Sequence, residues 1–561
     1  MRRALMAAAF VVSCAHVPPA STEGVPSPWP QARAEAGGAT TQPTTTTPTT
    51  RPAPTTRPTT QPARGPLPVT RTPGGAVIKR GTPPPVVPLA HPPAEDHVDR
   101  ATPPAGGPPP KLNLPVPARR KLQNGTAVLV VERHELPMAS IVVTWPVGIA
   151  DEPPAQAGLA GLTADLLDEG AGTRGALELA EEVARAGASL QTTASWDDTR
   201  VQVTTLVRAL DTLLPIVADV VARPTFADKE LARVRADRIT TLAQLRDIPA
   251  VISRDTLARV VYGDDARYGL PEYGTEAALA KLGRADVVKW HDERLRPDLA
   301  TIIVVGDVQP DDIVRRLDAA FAGWRTSHAA RLRHPAAPGP RAARKVVLVD
   351  RPGAAQTELR LGLPGAPRTS KDYFACLVTN AILGGQFTSR LNFNLREQHG
   401  YTYGARSEFA FRRAGGPFTA GAPVKTAVTE ASLKETLGEL ARIHASDVTP
   451  AELQLAKDLL GRTLAREFET PPQVAAALVA QVVEGLPDDY YRRYAARIAA
   501  VTVADVRKAA QRWIDPAKMA IVLVGDETQI GAGVKATVGD YERRGSDGAA
   551  AAAPAAPGSA R

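Results

Sequence analysis

Two cysteines in 561 residues exclude a disulfide framework as the basis of this fold. Nine histidines are present, none of them paired at i, i+4, so no helix offers two imidazoles on one face to a metal. Aromatic residues make up only 5% of the chain. No block of Lys and Arg interleaves with them, which argues against a nucleic-acid partner although the formal charge is +8. No apolar run reaches the ~20 residues that a membrane-spanning helix requires.

The composition that is present changes along the chain. Residues 39–63, ATTQPTTTTPTTRPAPTTRPTTQPA, lack large apolar side chains, and their prolines remove backbone donors, so they build no core. Before them, Arg2 and Arg3 precede a short apolar stretch, Ala4 to Val12, and then Ser13-Cys14. This is the order of a secretory signal. Val-Val-Ser-Cys resembles a bacterial lipobox, though Leu is more usual at its first position; an ordinary signal with an incidental cysteine is the alternative. The expectation is a signal peptide over 1–14 with lipidation at Cys14, then a disordered linker over 15–110. As a coil that linker would span roughly 55 Å. The lipid would place the protein in the cell envelope, facing the periplasm or on the outer membrane. An Ala/Gly-rich tail, 528–561, is expected to be disordered as well.

Between these ends the pattern is regular. Thr126–Val131 and Ile141–Val147 are β-branched runs separated by a turn at Pro137, and both read as strands. Leu159, Leu162, Leu166 and Leu167 share one helix face that ends at Gly170. A strand pair follows (Ser189–Trp196, Arg200–Leu206), then helices from Leu210 to about Ala243, then a strand at Thr301–Val305. Cys376 lies in an apolar helical stretch and reads as a buried thiol. The grammar repeats. Ala285-Asp286-Val287 leads to Val305-Gly306-Asp307, and Ala504-Asp505-Val506 leads to Val524-Gly525-Asp526, the second copy offset by 219 residues. Duplication predicts an α+β protein with two homologous α/β-layer domains in tandem, 111–327 and 345–527, joined by a hinge at 328–344.

Two stretches carry a family resemblance. Gly158-Leu159-Ala160-Gly161-Leu162-Thr163-Ala164-Asp165-Leu166-Leu167-Asp168-Glu169-Gly170 resembles the zinc helix of the M16 peptidases, the inverzincins related to pitrilysin and mitochondrial processing peptidase. Active members carry H-x-x-E-H there. The resemblance places the two histidines on Gly161 and Asp165, the general base on Ala164 and the third ligand near Thr241. None of these residue types restores the site: catalytic zinc needs three protein ligands plus water. The second stretch, Leu395-Arg396 through Gly400 to Tyr403, is similar to the family's L-R-x-x-x-G-x-x-Y at each named position. It implies that Arg396 and Tyr403 donate hydrogen bonds to a substrate carbonyl and to the oxyanion formed from it. Gly384-Gly385 before that helix reads as a flexible turn.

Some members of the family work as pairs in which one subunit holds the zinc and the other supplies the Arg/Tyr pair. The resemblance therefore implies a non-catalytic, substrate-binding subunit that binds no cofactor itself. Its partners would be a zinc-bearing M16 subunit, a peptide or unfolded segment, and a membrane through Cys14. The alternative is a binding or scaffold lipoprotein without a catalytic role.

Overall fold

The runs Ile302–Val305, Val346–Val349 and Ile521–Val524 are apolar without polar interruption, a pattern that suits strands buried on both faces. A computed structural model describes residues 116–325, 334, 339 and 341–548. The expected signal peptide, Cys14, the linker and most of the hinge lie outside the described residues. Among the described residues no helix is long and apolar enough to cross a membrane.

The amino-terminal half forms one six-stranded sheet. Its strands are β1 (Ala118–Lys121), β2 (Ala127–Glu132), β3 (Met138–Trp145), β4 (Ser189–Ala194), β5 (Thr199–Leu206) and β6 (Thr301–Gly306). They lie in the order β1-β2-β6-β3-β5-β4. The carboxy-terminal half forms a second sheet from β7 (Lys345–Asp350), β8 (Gln356–Pro364), β9 (Arg406–Phe409), β10 (Pro417–Lys425), β11 (Ala520–Gly525) and β12 (Glu542–Arg544), in the order β9-β10-β8-β11-β7-β12. Read from opposite edges, the two orders match strand for strand. In each, the last long strand pairs parallel with the first and antiparallel with the second: β6 with β2 and β3, β11 with β7 and β8. Duplication is therefore written in the topology as well as in the Gly-Asp repeat. The outer strand differs: β1 precedes the unit in one half, and β12 follows it in the other.

Period-2 alternation divides each strand between two cores. Val128, Val130, Ile302 and Val304 face the helices of their own half. Leu129, Val131, Ile303 and Val305 face the opposite way and meet Val474, Leu478 and Val479. Those three residues belong to the helix Pro471–Val483, which comes from the other half of the chain. The exchange is reciprocal. Ile252, Leu257 and Val261, on the helix Pro249–Tyr262 of the amino-terminal half, cover Val347, Val349, Val522 and Val524. Each half thus completes the other's core. The two expected tandem domains, 111–327 and 345–527, therefore each lend the other a helix that covers one face of its sheet. The expected disordered tail also begins too early: residues 527–538 form a helix, and β12 adds an edge strand to the second sheet.

Candidate functional site

In the first half, helix α1 (Leu159–Leu166) carries the positions where the resemblance places zinc ligands. Its start is anchored by Glu152, whose carboxylate is wholly buried. Glu152 accepts from the backbone N–H groups of Gly158 and Ala160 and from Arg267 Nε at 2.7 Å. An acidic group there satisfies N–H groups that a helix leaves unpaired at its start. Gly161 and Ala164 are buried, and Asp165 is 41% exposed at its side chain.

The guanidinium of Arg238 fills the space in front of them. Arg238 lies on α2 (Asp228–Leu245) and forms an ion pair with Asp165. Its Nη2 also donates to the Tyr273 carbonyl at 3.4 Å, and its Cζ lies 5.0 Å from the centre of the Tyr273 ring. A Cβ added at Gly161 would come within 3.0 Å of Arg238 Cζ. Glycine at 161 is thus what allows the guanidinium to approach the helix. Thr241, the expected third-ligand position, does not face this space as a donor. Its hydroxyl donates to the carbonyl of Asp237 on its own helix at 2.9 Å. Arg238 meets Asp165 instead, one helical turn earlier. The sequence alone does not single out Arg238, because only a fold shows which face of α2 meets α1.

Zinc does not fit these residues. Gly161 and Ala164 offer no donor, the single carboxylate is neutralised by an arginine, and a fixed cation stands where another would have to enter. Among the described residues no cluster of three or more His, Cys, Asp or Glu has a metal-holding arrangement. Nearby, Asp168 receives a hydrogen bond from Thr192 at 3.4 Å. Burial, reinforced by Glu169 and Asp165, pushes its carboxyl up to about 6.

The second half presents the opposite picture. The segment Phe393–Gln398, wound as a π-helix, carries Arg396. Gly400, at φ +64°, ends it: its N–H donates to the Arg396 carbonyl, and Tyr401 N–H to that of Leu395. A glycine suits this left-handed position because a Cβ would be strained there. The Arg396 guanidinium lies over the Phe387 ring, 4.7 Å from its centre, and its Nε is 3.3 Å from Glu397. Tyr403 is 88% exposed. It sits in the loop between this helix and β9, which begins at Arg406. Asn392 ties the segments together. Its Nδ2 donates to the Phe387 carbonyl at 2.7 Å, and its Oδ1 accepts from Ala405 N–H at 3.1 Å.

The expected turn at Gly384-Gly385 is a close approach rather than a flexible joint. Gly384 ends the helix Tyr373–Leu383 directly against the backbone of Ser407, leaving no room for a Cβ. Ser389 occupies the N-cap position of the next helix without donating or accepting there. Cys376 is buried and free, and burial drives its thiol pKa upward.

The chain is similar to members of one peptidase family. Residues 127–263 match the model "Insulinase (Peptidase family M16)", and residues 281–460 match "Peptidase M16 inactive domain". The chain is 25% identical over 357 residues to the uncharacterized zinc protease YmxG of Bacillus subtilis, covering 63% of this chain and 84% of that one. It is 27% identical over 302 residues to an uncharacterized zinc protease of Streptomyces coelicolor, covering 52% of this chain and 63% of the relative. Among solved structures it is similar to a peptidase M16 inactive domain from Pseudomonas fluorescens, at 26% identity and a TM-score of 0.68 over 74% of this chain and 98% of that one. A protease from Helicobacter pylori shares the fold at 20% identity and the same TM-score, over 73% of this chain and 100% of its own. With both halves matched and the zinc ligands replaced, this chain belongs to peptidase family M16 as a member lacking the zinc motif.

Proposed function

We propose that this chain is the non-catalytic, substrate-binding subunit of a two-subunit M16 metallopeptidase, anchored in the bacterial cell envelope through Cys14. One observation carries the reading. The half that would hold the metal is closed by an arginine–aspartate pair, whereas Arg396 and Tyr403 in the other half remain open to solvent. A guanidinium and a phenol are donors that can be preorganised toward a carbonyl whose charge grows during attack. In this role they bind and polarise the peptide carbonyl, and the zinc-bearing partner supplies the metal and its water. Peptides or unfolded segments are the substrates such a division of labour serves.

The test is recovery of the tagged full-length chain from its own envelope fraction, followed by mass spectrometry of whatever accompanies it. The expected companion is a protein of similar size carrying H-x-x-E-H. Recovery of the chain alone, or with unrelated envelope proteins, would replace this reading with that of a scaffold lipoprotein.

A further inference from the structure

Arg396 and Tyr403 sit on different kinds of backbone, and something must fix one against the other for both to meet a single carbonyl. Arg396 belongs to the segment Phe393–Gln398, whose π-helical winding recurs at functional sites. Its guanidinium rests on Phe387, a side chain 60% exposed. Tyr403 projects from an irregular loop that is tied to β10. Lys425 N–H donates to the Tyr401 carbonyl at 3.2 Å, and the Thr402 hydroxyl donates to the Pro423 carbonyl at 2.6 Å. These two bonds hold the loop to the sheet and do not reach Phe387.

Asn392 reaches both. It ends the short helix Arg390–Asn392, immediately before the segment that carries Arg396, and is buried at 4% exposure. Asparagine side chains usually bond to backbone close by in sequence. Here Nδ2 donates to the Phe387 carbonyl five residues back, and Oδ1 accepts from Ala405 N–H thirteen residues ahead. A carbonyl only accepts and a backbone N–H only donates, so the orientation of the amide is determined. Ala405 is buried as well, so a leucine at 392 would leave its N–H without a partner in a place where an unmade bond is costly.

We propose that Asn392 is a positioning residue for the Arg396/Tyr403 pair. Through one buried amide it holds the residue on which Arg396 rests and the loop from which Tyr403 projects, and so sets how the two donors stand relative to each other. The inference rests on the substrate-binding role proposed above for that pair. Asn392 touches no substrate and acts through the two donors. Its loss is therefore felt when charge develops on the carbonyl, which depends on preorganised donors, more than in ground-state binding.

The experiment has two arms. In hydrogen exchange of the full-length chain alone, read by mass spectrometry, Asn392→Leu should speed exchange over residues 401–405 by about tenfold and leave β10 unchanged. Asn392→Asp, which keeps an acceptor for Ala405 N–H, should speed it less. In a reconstituted pair with a zinc-bearing subunit, Asn392→Leu should lower kcat on the order of 10²-fold, with KM within about threefold. Added to Arg396→Ala and Tyr403→Phe together, it should lower kcat by less than about a further twofold, because the donors it places are gone; a residue needed only for folding would impose its full loss there too. Unchanged exchange over 401–405, or a full further loss in the background without donors, would overturn the proposal. A wild-type pair without turnover would instead sink the substrate-binding reading, and the exchange arm would still decide whether Asn392 holds the loop.

Discussion

The two halves share a topology and differ at the stretches that carry the family resemblance. In the amino-terminal half, Arg238 reaches Gly161 and Asp165 and closes the position where the family holds a metal. In the carboxy-terminal half, Arg396 stacks on Phe387 at the surface, and Tyr403 projects from a loop. One half thus holds its arginine in an ion pair against a helix, and the other holds its arginine at the surface. The cores are indifferent to this divergence because each sheet is covered by a helix from the opposite half.

The largest effect expected from breaking this comparison is on turnover. In a reconstituted pair with a zinc-bearing subunit, Arg396→Ala or Tyr403→Phe should lower kcat by about 10²–10³, the cost of removing one oxyanion donor. Asp165→Asn in the same assay should leave kcat within about twofold. Equal losses for both would erase the functional difference between the halves.

Stability comes next. Leu478→Ala and Leu257→Ala, one on each exchanged helix, should each cost about 2–5 kcal/mol in urea unfolding. Both should shift one common transition, because neither half covers both faces of its own sheet. Two separate transitions, each moved by one variant only, would show that the halves fold independently.

A smaller effect is expected at the closed site. Asp165→Ala leaves Arg238 buried without its carboxylate, but Asp165 is partly exposed, so the loss should be about 1–3 kcal/mol. Asp165→Leu combined with Arg238→Met should recover much of it. No recovery would mean that the arginine packs for reasons beyond the pair.

The smallest effect concerns pH. Burial, with Asp197 nearby, pushes the Glu484 carboxyl up to about 7 at the end of the exchanged helix Pro471–Val483. A carboxyl raised in the folded state binds a proton that the unfolded chain has released. Its stabilising contribution is complete below the ordinary Glu range near 4.3, declines as pH rises toward about 7, and is absent above. Thermal melts of Glu484→Gln should therefore show a flatter pH dependence between about 4.5 and 7, with a gain of about 1–2 kcal/mol above it. An unchanged profile would place the titrating group elsewhere.

Much of the fold was legible because it rests on local periodicity. The β-branched runs, the leucine face of α1 and the repeat ending at Gly306-Asp307 and Gly525-Asp526 all mark elements found in the structure. The exchanged helices were not legible. Ile252, Leu257, Leu478 and Val479 announce apolar faces, but nothing local says which sheet receives them. The helix at 527–538 was missed because its Ala/Gly content resembles the tail that follows it. At the candidate sites, the positions of Gly161, Ala164, Asp165, Arg396 and Tyr403 followed from the family resemblance of the two stretches that carry them. The role of Arg238 depended on contacts across the fold.

By itself the sequence determined that no zinc ligand set survives on α1, because ligand chemistry is a property of side-chain type at fixed spacing along one helix. It also determined that Arg396 and Tyr403 flank a helix end, since Gly400 stops the helix between them. Only the tertiary structure decided what stands in the metal's place. Arg238 and Asp165 lie 73 residues apart, and their meeting depends on how α1 and α2 pack. It also decided which sheet each exchanged helix covers, because an apolar helix face is satisfied by whichever sheet the whole chain brings against it.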